Sequence, residues 1–173
     1  MKKKIIITGG LGYIGTELCK LYSGVSWNNT IIVIDNRFIS ERVNQIRNWN
    51  MEFVHGDILD KNLIKKYCAD ADVVHHLAGV TDVPRTKSES SEEKDKKIKI
   101  VAEEGTQNIL DVIRDNCKII FPSTHVVYEG VEKIKNEISE DEEVKPILSY
   151  SSSKALNEKQ LKSSKKNYII LRL

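Results

Sequence analysis

A cluster of glycines near the N-terminus constrains the fold of this chain more than any other sequence feature. The run Thr8–Gly15, TGGLGYIG, directly follows a short apolar segment and opens a helical pattern. Gly9 or Gly10 permits a tight turn from strand to helix. Gly12 lets backbone N–H groups approach a pyrophosphate, and Gly15 lets the helix pack closely on the strand. The pattern therefore predicts a strand, a phosphate-binding turn and a helix that together hold a dinucleotide.

A second apolar run supports this interpretation. Ile31–Ile34 ends in Asp35, 20 positions after Gly15, which is the spacing at which a carboxylate reaches the adenosine ribose. Its negative charge would repel a 2′-phosphate, so we expect NAD rather than NADP, and Arg37 could soften that preference. The alternative is that Asp35 is an ordinary turn residue before Asn36.

Short apolar runs alternate with longer amphipathic ones along the whole chain. This alternation predicts an α/β fold, a Rossmann-type doubly wound parallel sheet with helices on both faces, strand order 3-2-1-4-5-6 and a ligand over the carboxyl ends of the strands. The predicted strands lie near Lys4–Thr8, Thr30–Asp35, Glu52–His55, Asp72–Leu77, Lys118–Pro122 and Tyr168–Leu173. The predicted helices lie near Tyr13–Tyr22, Arg42–Asn48, Lys61–Cys68, Glu92–Asn116 and Tyr150–Ser163.

Composition excludes several classes of protein. The 173 residues, 40% of them hydrophobic, fit one domain over residues 1–173. The net charge is +2, and the positive residues are scattered apart from Lys2–Lys4 and the Lys94 to Lys99 stretch, which we interpret as solvated faces, so nothing indicates nucleic-acid binding. No apolar run approaches the ~20 residues that span a membrane. Cys19, Cys68 and Cys117 lack zinc-site spacing, and His75 and His76 point to opposite faces of a strand, so we expect no metal, no disulfide and a cytoplasmic location.

Two later motifs carry chemistry. Tyr150 and Lys154 stand four residues apart, hence on one helix face, where the ammonium can favour the phenolate and lower the pKa of the tyrosine toward a range useful for proton transfer. Ser123 and Thr124 end a predicted buried strand with hydroxyl groups. Such hydroxyls can hydrogen-bond the oxygen of a substrate alcohol or ketone.

With these motifs the chain resembles the extended short-chain dehydrogenase/reductase family, the NAD-dependent sugar epimerases and dehydratases. The resemblance runs from Lys4 to Leu173. It rests on ordered motifs: Thr8–Gly15, Asp35, Gly56-Asp57-Ile58, His76-Leu77-Ala78-Gly79, Gly105-Thr106, Ser123-Thr124 with Val127-Tyr128, and Tyr150 with Lys154.

The resemblance implies a set of site residues. Tyr150 is expected as general acid/base on a substrate hydroxyl, Thr124 as a contact to the same oxygen, and Lys154 as a contact to the nicotinamide ribose that tunes Tyr150. Asp57 and Ile58 are expected beside the adenine. The full set of expected NAD contacts is Gly9, Gly12, Tyr13, Ile14, Gly15, Asp35, Asn36, Asp57, Ile58, Leu77, Ala78, Gly79, Tyr150 and Lys154.

The implied activity is that of a nucleotide-sugar epimerase, in which hydride moves between a sugar carbon and NAD. A reductase or dehydrogenase of another alcohol or ketone, of sugar or hydroxysteroid type, stays open, as does a non-catalytic NAD-binding module. His125-Val126 replaces the Asp-Glu pair that sugar 4,6-dehydratases carry after the active-site Thr, which disfavours that reaction. Ala102 replaces a usual Asn. A homodimer through Glu92–Asn116 and Tyr150–Ser163 is expected by resemblance only.

The chain stops where family members continue into a region that supplies most sugar-nucleotide contacts. We therefore expect a truncated family member with the C-terminal substrate domain missing, either a fragment or a natural short form. An apolar patch should then be exposed where the missing part docks.

Overall fold

A parallel sheet of six strands, in the order β3-β2-β1-β4-β5-β6, organises the described part of the chain. The computed structural model describes residues 2–80, 89, 91–131 and 137–173. The strands are β1 Lys4–Thr8, β2 Thr30–Asp35, β3 Glu52–His55, β4 Val73–His76, β5 Lys118–Ser123 and β6 Asn167–Arg172. The predicted strand order and fold class are confirmed.

Within the described residues, five α-helices connect the strands. They are α1 Tyr13–Tyr22, α2 Ser40–Asn48, α3 Lys61–Cys68, α4 Glu92–Val112 and α5 Ser149–Ser163, with short 3-10 turns at Ser23–Asn28 and His125–Tyr128. All described strand pairs are parallel. Because parallel strands are joined by crossovers, all their carboxyl ends lie along one edge of the sheet.

The alternation of side chains along the strands divides the core into two layers. Ile5 and Ile7 of β1 pack with buried residues of α1 and α2 on one face. Ile6 of the same strand packs with buried residues of α3, α4 and α5 on the other face. Both faces of the sheet are therefore covered by helices, and the carboxyl edge is left to bind a ligand.

The long helix α4 ends earlier than predicted. It stops at Val112 rather than Asn116, since Ile113 is extended (φ −69°, ψ 147°) and the N–H of Cys117 closes a turn onto the carbonyl of Arg114, 3.0 Å away. Arg114 in turn donates to the backbone carbonyl of Asp70 at 2.7 Å. This turn reverses the chain toward the start of β5, so tertiary contacts override local helical propensity.

Candidate functional site

A cleft of about 1030 Å³ opens along the carboxyl edge of the sheet. Every site residue expected from the sequence lines it: Gly9, Gly12, Tyr13, Ile14, Gly15, Asp35, Asn36, Asp57, Ile58, Leu77, Ala78, Gly79, Thr124, Tyr150 and Lys154. Residues up to 145 positions apart in sequence, from Gly9 to Lys154, thus border one space.

The glycine turn forms the floor of this cleft. Gly9 has φ +71°, and a Cβ atom built on it would lie 2.6 Å from the backbone nitrogen of Ala78. A Cβ on Gly15 would lie 2.5 Å from the carbonyl oxygen of Gly9. Helix α1 therefore packs directly on the turn, with Gly12 at its N-cap and no side-chain cap hydrogen bond there. The turn fits a dinucleotide, because helical N–H groups in such a position bind phosphate oxygens.

Asp35 ends β2 with a buried carboxylate. Its side chain is 2% exposed. Oδ2 accepts from the backbone N–H of Leu11 at 2.9 Å, and Oδ1 accepts from the backbone N–H of Arg37 at 2.9 Å. The Arg37 guanidinium adds contacts of 3.2 Å from Nε to Oδ1 and 3.4 Å from Nη2 to Oδ2. The carboxylate is thereby fixed beside the glycine turn.

A second polar pair lies close to Asp35. Asn36 donates from Nδ2 to Oδ2 of Asp57 at 2.9 Å, and the other oxygen of Asp57 accepts from the N–H of Leu59. Helix α4 holds the next residue, Ile58, in place: Asn108 donates to its carbonyl at 3.0 Å, and a Cβ on Gly105 would lie 2.3 Å from its Cδ1. Asp57 is thus a half-buried, hydrogen-bonded wall of the cleft rather than a freely solvated loop carboxylate.

Thr124 reaches the cleft from the end of β5. It is 7% exposed, and its Oγ1 accepts from the N–H of Val126 at 3.2 Å as the cap of the 3-10 turn. A hydroxyl that accepts in this way still has its own hydrogen to donate. Its neighbour Ser123 donates to Oε1 of Glu158 at 2.6 Å. Both residues line the cleft, but the hydroxyl hydrogen of Ser123 is taken by Glu158, whereas Thr124 only accepts in the bond described.

Tyr150 and Lys154 lie on the face of α5 that borders the cleft. Nζ of Lys154 donates to the carbonyl of Pro122 at 2.9 Å, stands 4.6 Å from the ring centroid of Phe121 and stands 5.8 Å from that of Tyr150. Burial lowers the pKa of the Lys154 ammonium to about 8.

The expected lowering of the tyrosine pKa is wrong for this structure. Burial raises the pKa of the Tyr150 phenol above its usual value, because desolvation disfavours the phenolate. The ammonium of Lys154 is engaged by Pro122 and Phe121 instead. The sequence spacing placed Tyr150 and Lys154 on one face of a helix, but it could not show whether burial or the lysine charge has the larger effect on the pKa of Tyr150.

Four charged residues of the cleft wall were not expected from the sequence: Arg42, Glu93, Lys96 and Lys97. The lysines belong to the Lys94 to Lys99 stretch, whose charges suggested only a solvated face. They are exposed, as expected, but the start of α4 places them at the mouth of the cleft. A sequence signal existed, because this helix follows β4 and so begins near the carboxyl edge of the sheet.

An ion pair behind the cleft was also missed. Arg172 of β6 donates to both carboxylate oxygens of Glu158, at 3.0 and 2.6 Å, and also to the hydroxyl of Tyr128. Burial alone would raise the pKa of the Glu158 carboxyl, but hydrogen bonds from Arg172 and Ser123 bring it below its usual value. The spacing of Glu158 four residues after Lys154 places it one helical turn further along α5.

Two further findings concern metals and membranes. Among the described residues, there is no group of three or more His, Cys, Asp or Glu side chains that could hold a metal ion. Within the same part of the chain, no helix combines the length and the apolar character needed to cross a bilayer. Cys19, Cys68 and Cys117 are free and buried.

Comparison with known proteins identifies a matching protein family and a curated relative. A model of the NAD-dependent epimerase/dehydratase family matches residues 5–173. CDP-paratose 2-epimerase of Salmonella typhi is 37% identical over 144 residues, which are 76% of this chain and 40% of that protein. The chain therefore spans less than half the length of this curated relative.

Solved structures agree on the fold. UDP-N-acetylglucosamine 4-epimerase from Methanobrevibacter ruminantium M1, in complex with UDP-N-acetylmuramic acid, superposes with a TM-score of 0.80 at 27% identity, covering 99% of this chain and 55% of that one. UDP-glucose 4-epimerase from Brucella ovis, in complex with NAD, gives 0.77 at 29% identity, with 98% and 51% covered. The matched half of these proteins corresponds to the sheet and the cleft described above.

Proposed function

Because the chain belongs to the NAD-dependent epimerase/dehydratase family, we propose that its cleft binds NAD and that the protein acts as a nucleotide-sugar epimerase-like oxidoreductase. The observation that best supports the proposal is that one cleft is lined by both the expected cofactor-binding residues and the expected catalytic residues. The glycine turn and Asp35 at one end, and Thr124, Tyr150 and Lys154 at the other, border one continuous space.

The glycine turn and the residues around it would bind the cofactor. The N–H groups at the start of α1 would donate to the pyrophosphate, and Asp35 would accept hydrogen bonds from the adenosine ribose. Asp57 and Ile58 would border the adenine, while Leu77, Ala78 and Gly79 would line the path across the sheet. The backbone of this path is tightly held, since the N–H of Ala78 donates to Oγ1 of Thr8 at 3.3 Å.

The other end of the cleft would handle the substrate hydroxyl. Tyr150 would remove the proton from this hydroxyl and return it, Thr124 would donate a hydrogen bond to the same oxygen, and Lys154 would stabilise the phenolate by its charge. When bound, NAD supplies the hydride acceptor and donor. Nζ of Lys154 lies 5.8 Å from the centroid of the Tyr150 ring, a distance over which its charge would act on the phenolate.

The burial of Tyr150 has a consequence for this role. A phenol whose pKa is raised stays protonated in the empty cleft. It therefore becomes an efficient base only when a positive charge comes close to it. The cationic nicotinamide ring of NAD and the ammonium of Lys154 are the two candidates for that charge, so we expect proton transfer to depend on cofactor binding.

The test uses the chain loaded with NAD and a panel of UDP-, CDP- and dTDP-sugars. In a form that also includes the substrate region expected after Leu173, we expect nucleotide-sugar binding by calorimetry and interconversion of the sugar by NMR, with Tyr150→Phe losing the interconversion while keeping its NAD affinity. Tyr22→Phe is a matched control, since Tyr22 bonds to His75 at 2.8 Å and does not line the cleft. Interconversion retained in Tyr150→Phe would remove Tyr150 from the mechanism. NAD binding with neither a heat of sugar binding nor interconversion of the sugar would contradict the proposed activity and would leave only a non-catalytic NAD-binding module.

A further inference from the structure

Helix α5, which carries Tyr150 in its first turn, has no hydrogen-bond acceptor of its own at its start. The residue at the N-cap position is Leu148, whose apolar side chain makes no cap hydrogen bond, and the first turn contains no acidic residue. Helices usually satisfy the free N–H groups at this end with a Ser, Thr, Asp or Asn at the N-cap. An acceptor from elsewhere in the fold can therefore stabilise the start of α5.

Glu129 supplies this acceptor from a different segment of the chain. Its Oε1 accepts from the N–H of Ile147 at 2.6 Å and from the N–H of Leu148 at 2.7 Å. The buried hydroxyl of Ser151, in the first turn of α5, lies within reach of the same oxygen and of the carbonyl of Leu148, and its one hydrogen bonds to either. Glu129 is thus the cap of α5, although 18 positions separate it from Ile147.

The carboxyl group of Glu129 is held in its charged form. Burial alone would raise its pKa, but hydrogen bonds from Ser151 and from the N–H groups of Leu148 and Ile147 bring the pKa below its usual value. A charged acceptor forms stronger hydrogen bonds than a neutral one, and a negative charge at this end of a helix is favoured by the helix dipole. The contact therefore holds the first turn of α5 firmly.

Glu129 also belongs to the segment that begins with Thr124. The 3-10 turn His125–Tyr128 is capped by Thr124 at its start, and Glu129 directly follows its last residue. A backbone hydrogen bond of 2.8 Å from the N–H of Gly130 to the carbonyl of Lys145 joins this segment to the residues before α5. The side chain of Glu129 thus connects the turn after β5 to the first turn of α5.

We propose that Glu129 is a positioning residue, which fixes the hydroxyl of Tyr150 relative to that of Thr124 by tying the start of α5 to the turn after β5. This inference rests on the proposed function, in which both hydroxyls contact one substrate oxygen. Two groups that contact one atom must keep a fixed separation. Glu129 would thus act on the reaction through Tyr150 and Thr124, without a contact of its own to the substrate.

Two substitutions separate the hydrogen bonds of Glu129 from its charge. Glu129→Gln keeps the side-chain length and a carbonyl oxygen that accepts from N–H groups, whereas Glu129→Ala removes the acceptor. The N–H of Ser152 donates to the carbonyl of Leu148 at 2.9 Å and reports on the first turn of α5. We expect its hydrogen exchange to be about tenfold faster in Glu129→Ala, as for loss of a helix cap, and within about threefold of wild type in Glu129→Gln.

The ring of Tyr150 gives the readout that a contribution to stability alone would not change. The chain is labelled with ¹³C at the Cζ atom of its six tyrosines, and the signal that is missing from Tyr150→Phe belongs to Tyr150. Burial raises the pKa of this phenol. A loosened first turn exposes the ring, so we expect its titration midpoint to move toward that of an exposed tyrosine in Glu129→Ala and to stay in place in Glu129→Gln.

Controls address charge and folding. Glu143→Ala removes an exposed carboxylate from the segment before α5 and should leave the signal of Tyr150 unchanged. Thermal melting confirms that each variant is folded. If Glu129→Ala does not fold, Glu129→Asp replaces it, because the shorter side chain keeps the charge but withdraws the carboxylate from the two N–H groups.

The outcomes decide the inference. A change at Tyr150 in Glu129→Ala, or in Glu129→Asp, that is absent from Glu129→Gln supports it. Equal changes in Glu129→Ala and Glu129→Gln would assign the effect to charge alone, and an unchanged Tyr150 in both would show that the ring is held without Glu129; either result overturns it. Because the Tyr150 signal is measured without NAD or sugar, a supported link together with no NAD binding by the wild-type chain would overturn only the proposed function.

Discussion

At the scale of single residues, burial decides the protonation of the groups that would carry the chemistry. The sequence placed Tyr150 and Lys154 on one helix face, which the structure confirms, and it assumed that the lysine charge governs the tyrosine. Instead, desolvation raises the pKa of Tyr150 and lowers that of Lys154 to about 8. Burial arises from elements distant in sequence, such as β5 with Phe121, so spacing alone could not predict it.

The lowered pKa of Lys154 predicts a pH-dependent stability. The folded value is about 8, against 10.5 for the unperturbed group. Below pH 8, Lys154 is charged in both the folded and the unfolded state, and the cost of burying its charge lowers the stability of the fold in full. Between pH 8 and 10.5 the unfolded state binds more protons at this residue, so the free energy of unfolding rises with pH. Relative to Lys154→Met, we expect the wild-type free energy of unfolding to rise by about 1–3 kcal/mol over this range.

Chemical denaturation of both proteins between pH 7 and 10.5 measures this difference. Lys159→Met is the control for loss of one lysine charge, since Lys159 is exposed on the same helix. A difference between wild type and Lys154→Met that does not change with pH would show that the ammonium of Lys154 is not desolvated.

At the scale of elements, the glycine turn and the order of strands and helices were predictable, because glycine positions and strand alternation are local signals. The bounds of β4, β5 and β6 differ from the predicted ones by one residue. Strands β1, β2 and β3 and helices α1 and α3 begin and end as predicted. The end of α4 was not predictable, since the turn at Ile113 to Cys117 is held by Asp70 and by the start of β5. The ion pair between Glu158 and Arg172 was missed because it joins a helix to the strand that follows it, and no local periodicity links two residues 14 positions apart.

The glycine turn gives a test at this scale. Gly9→Ala places a side chain in the left-handed region and against the backbone of Ala78, so we expect a loss of at least about 2 kcal/mol in unfolding free energy. Gly24→Ala is the matched control: no atom lies within 4 Å of its added Cβ, so the change should be neutral or stabilising by up to about 1 kcal/mol. Urea denaturation measures the free energy of unfolding of both variants. Equal losses for Gly9→Ala and Gly24→Ala would contradict the geometry of the glycine turn.

The network that joins α5 to β5 and β6 gives a second test. Glu158 contacts the 11% exposed side chain of Arg172 at 2.6 Å and the 53% exposed side chain of Lys162 at 3.6 Å. Breaking a buried pair leaves an unpaired buried charge, so Glu158→Gln should lose about 3–5 kcal/mol of stability. Lys162→Gln removes only the exposed partner and should lose less than about 1 kcal/mol. Similar losses of unfolding free energy for both variants in urea denaturation would show that the ion pair between Arg172 and Glu158 does not stabilise the fold as described.

At the scale of the whole molecule, the last strand leaves apolar side chains exposed at the end of the sheet. Tyr168, Ile169, Leu171 and Leu173 are between 37% and 61% exposed, although they follow an apolar pattern. Ile169, Leu171 and Leu173 alternate onto one face on and just after β6, so part of this face is apolar and exposed; whether a further region docks there stays a prediction. β6 is paired with β5 and is the outermost strand in the sheet order, and an edge strand with such side chains favours association between chains.

We therefore expect this chain to self-associate as its concentration rises, and Leu171→Lys to increase the monomer fraction in sedimentation velocity. Leu21→Lys is the control, since Leu21 is 79% exposed on helix α1. Association that both variants leave unchanged would contradict a role for β6. It would favour instead the dimer through α4 and α5, which stays a prediction from the family resemblance.

The most direct test of the account is a calorimetric titration of NAD into the wild-type chain, with Asp35→Ala alongside. If the cleft holds the cofactor as proposed, NAD binds at about one molecule per chain, and Asp35→Ala binds it about tenfold more weakly because hydrogen bonds from the ribose to a charged acceptor are lost. Absence of NAD binding to the wild-type chain, or identical affinities for the two proteins, would contradict the account.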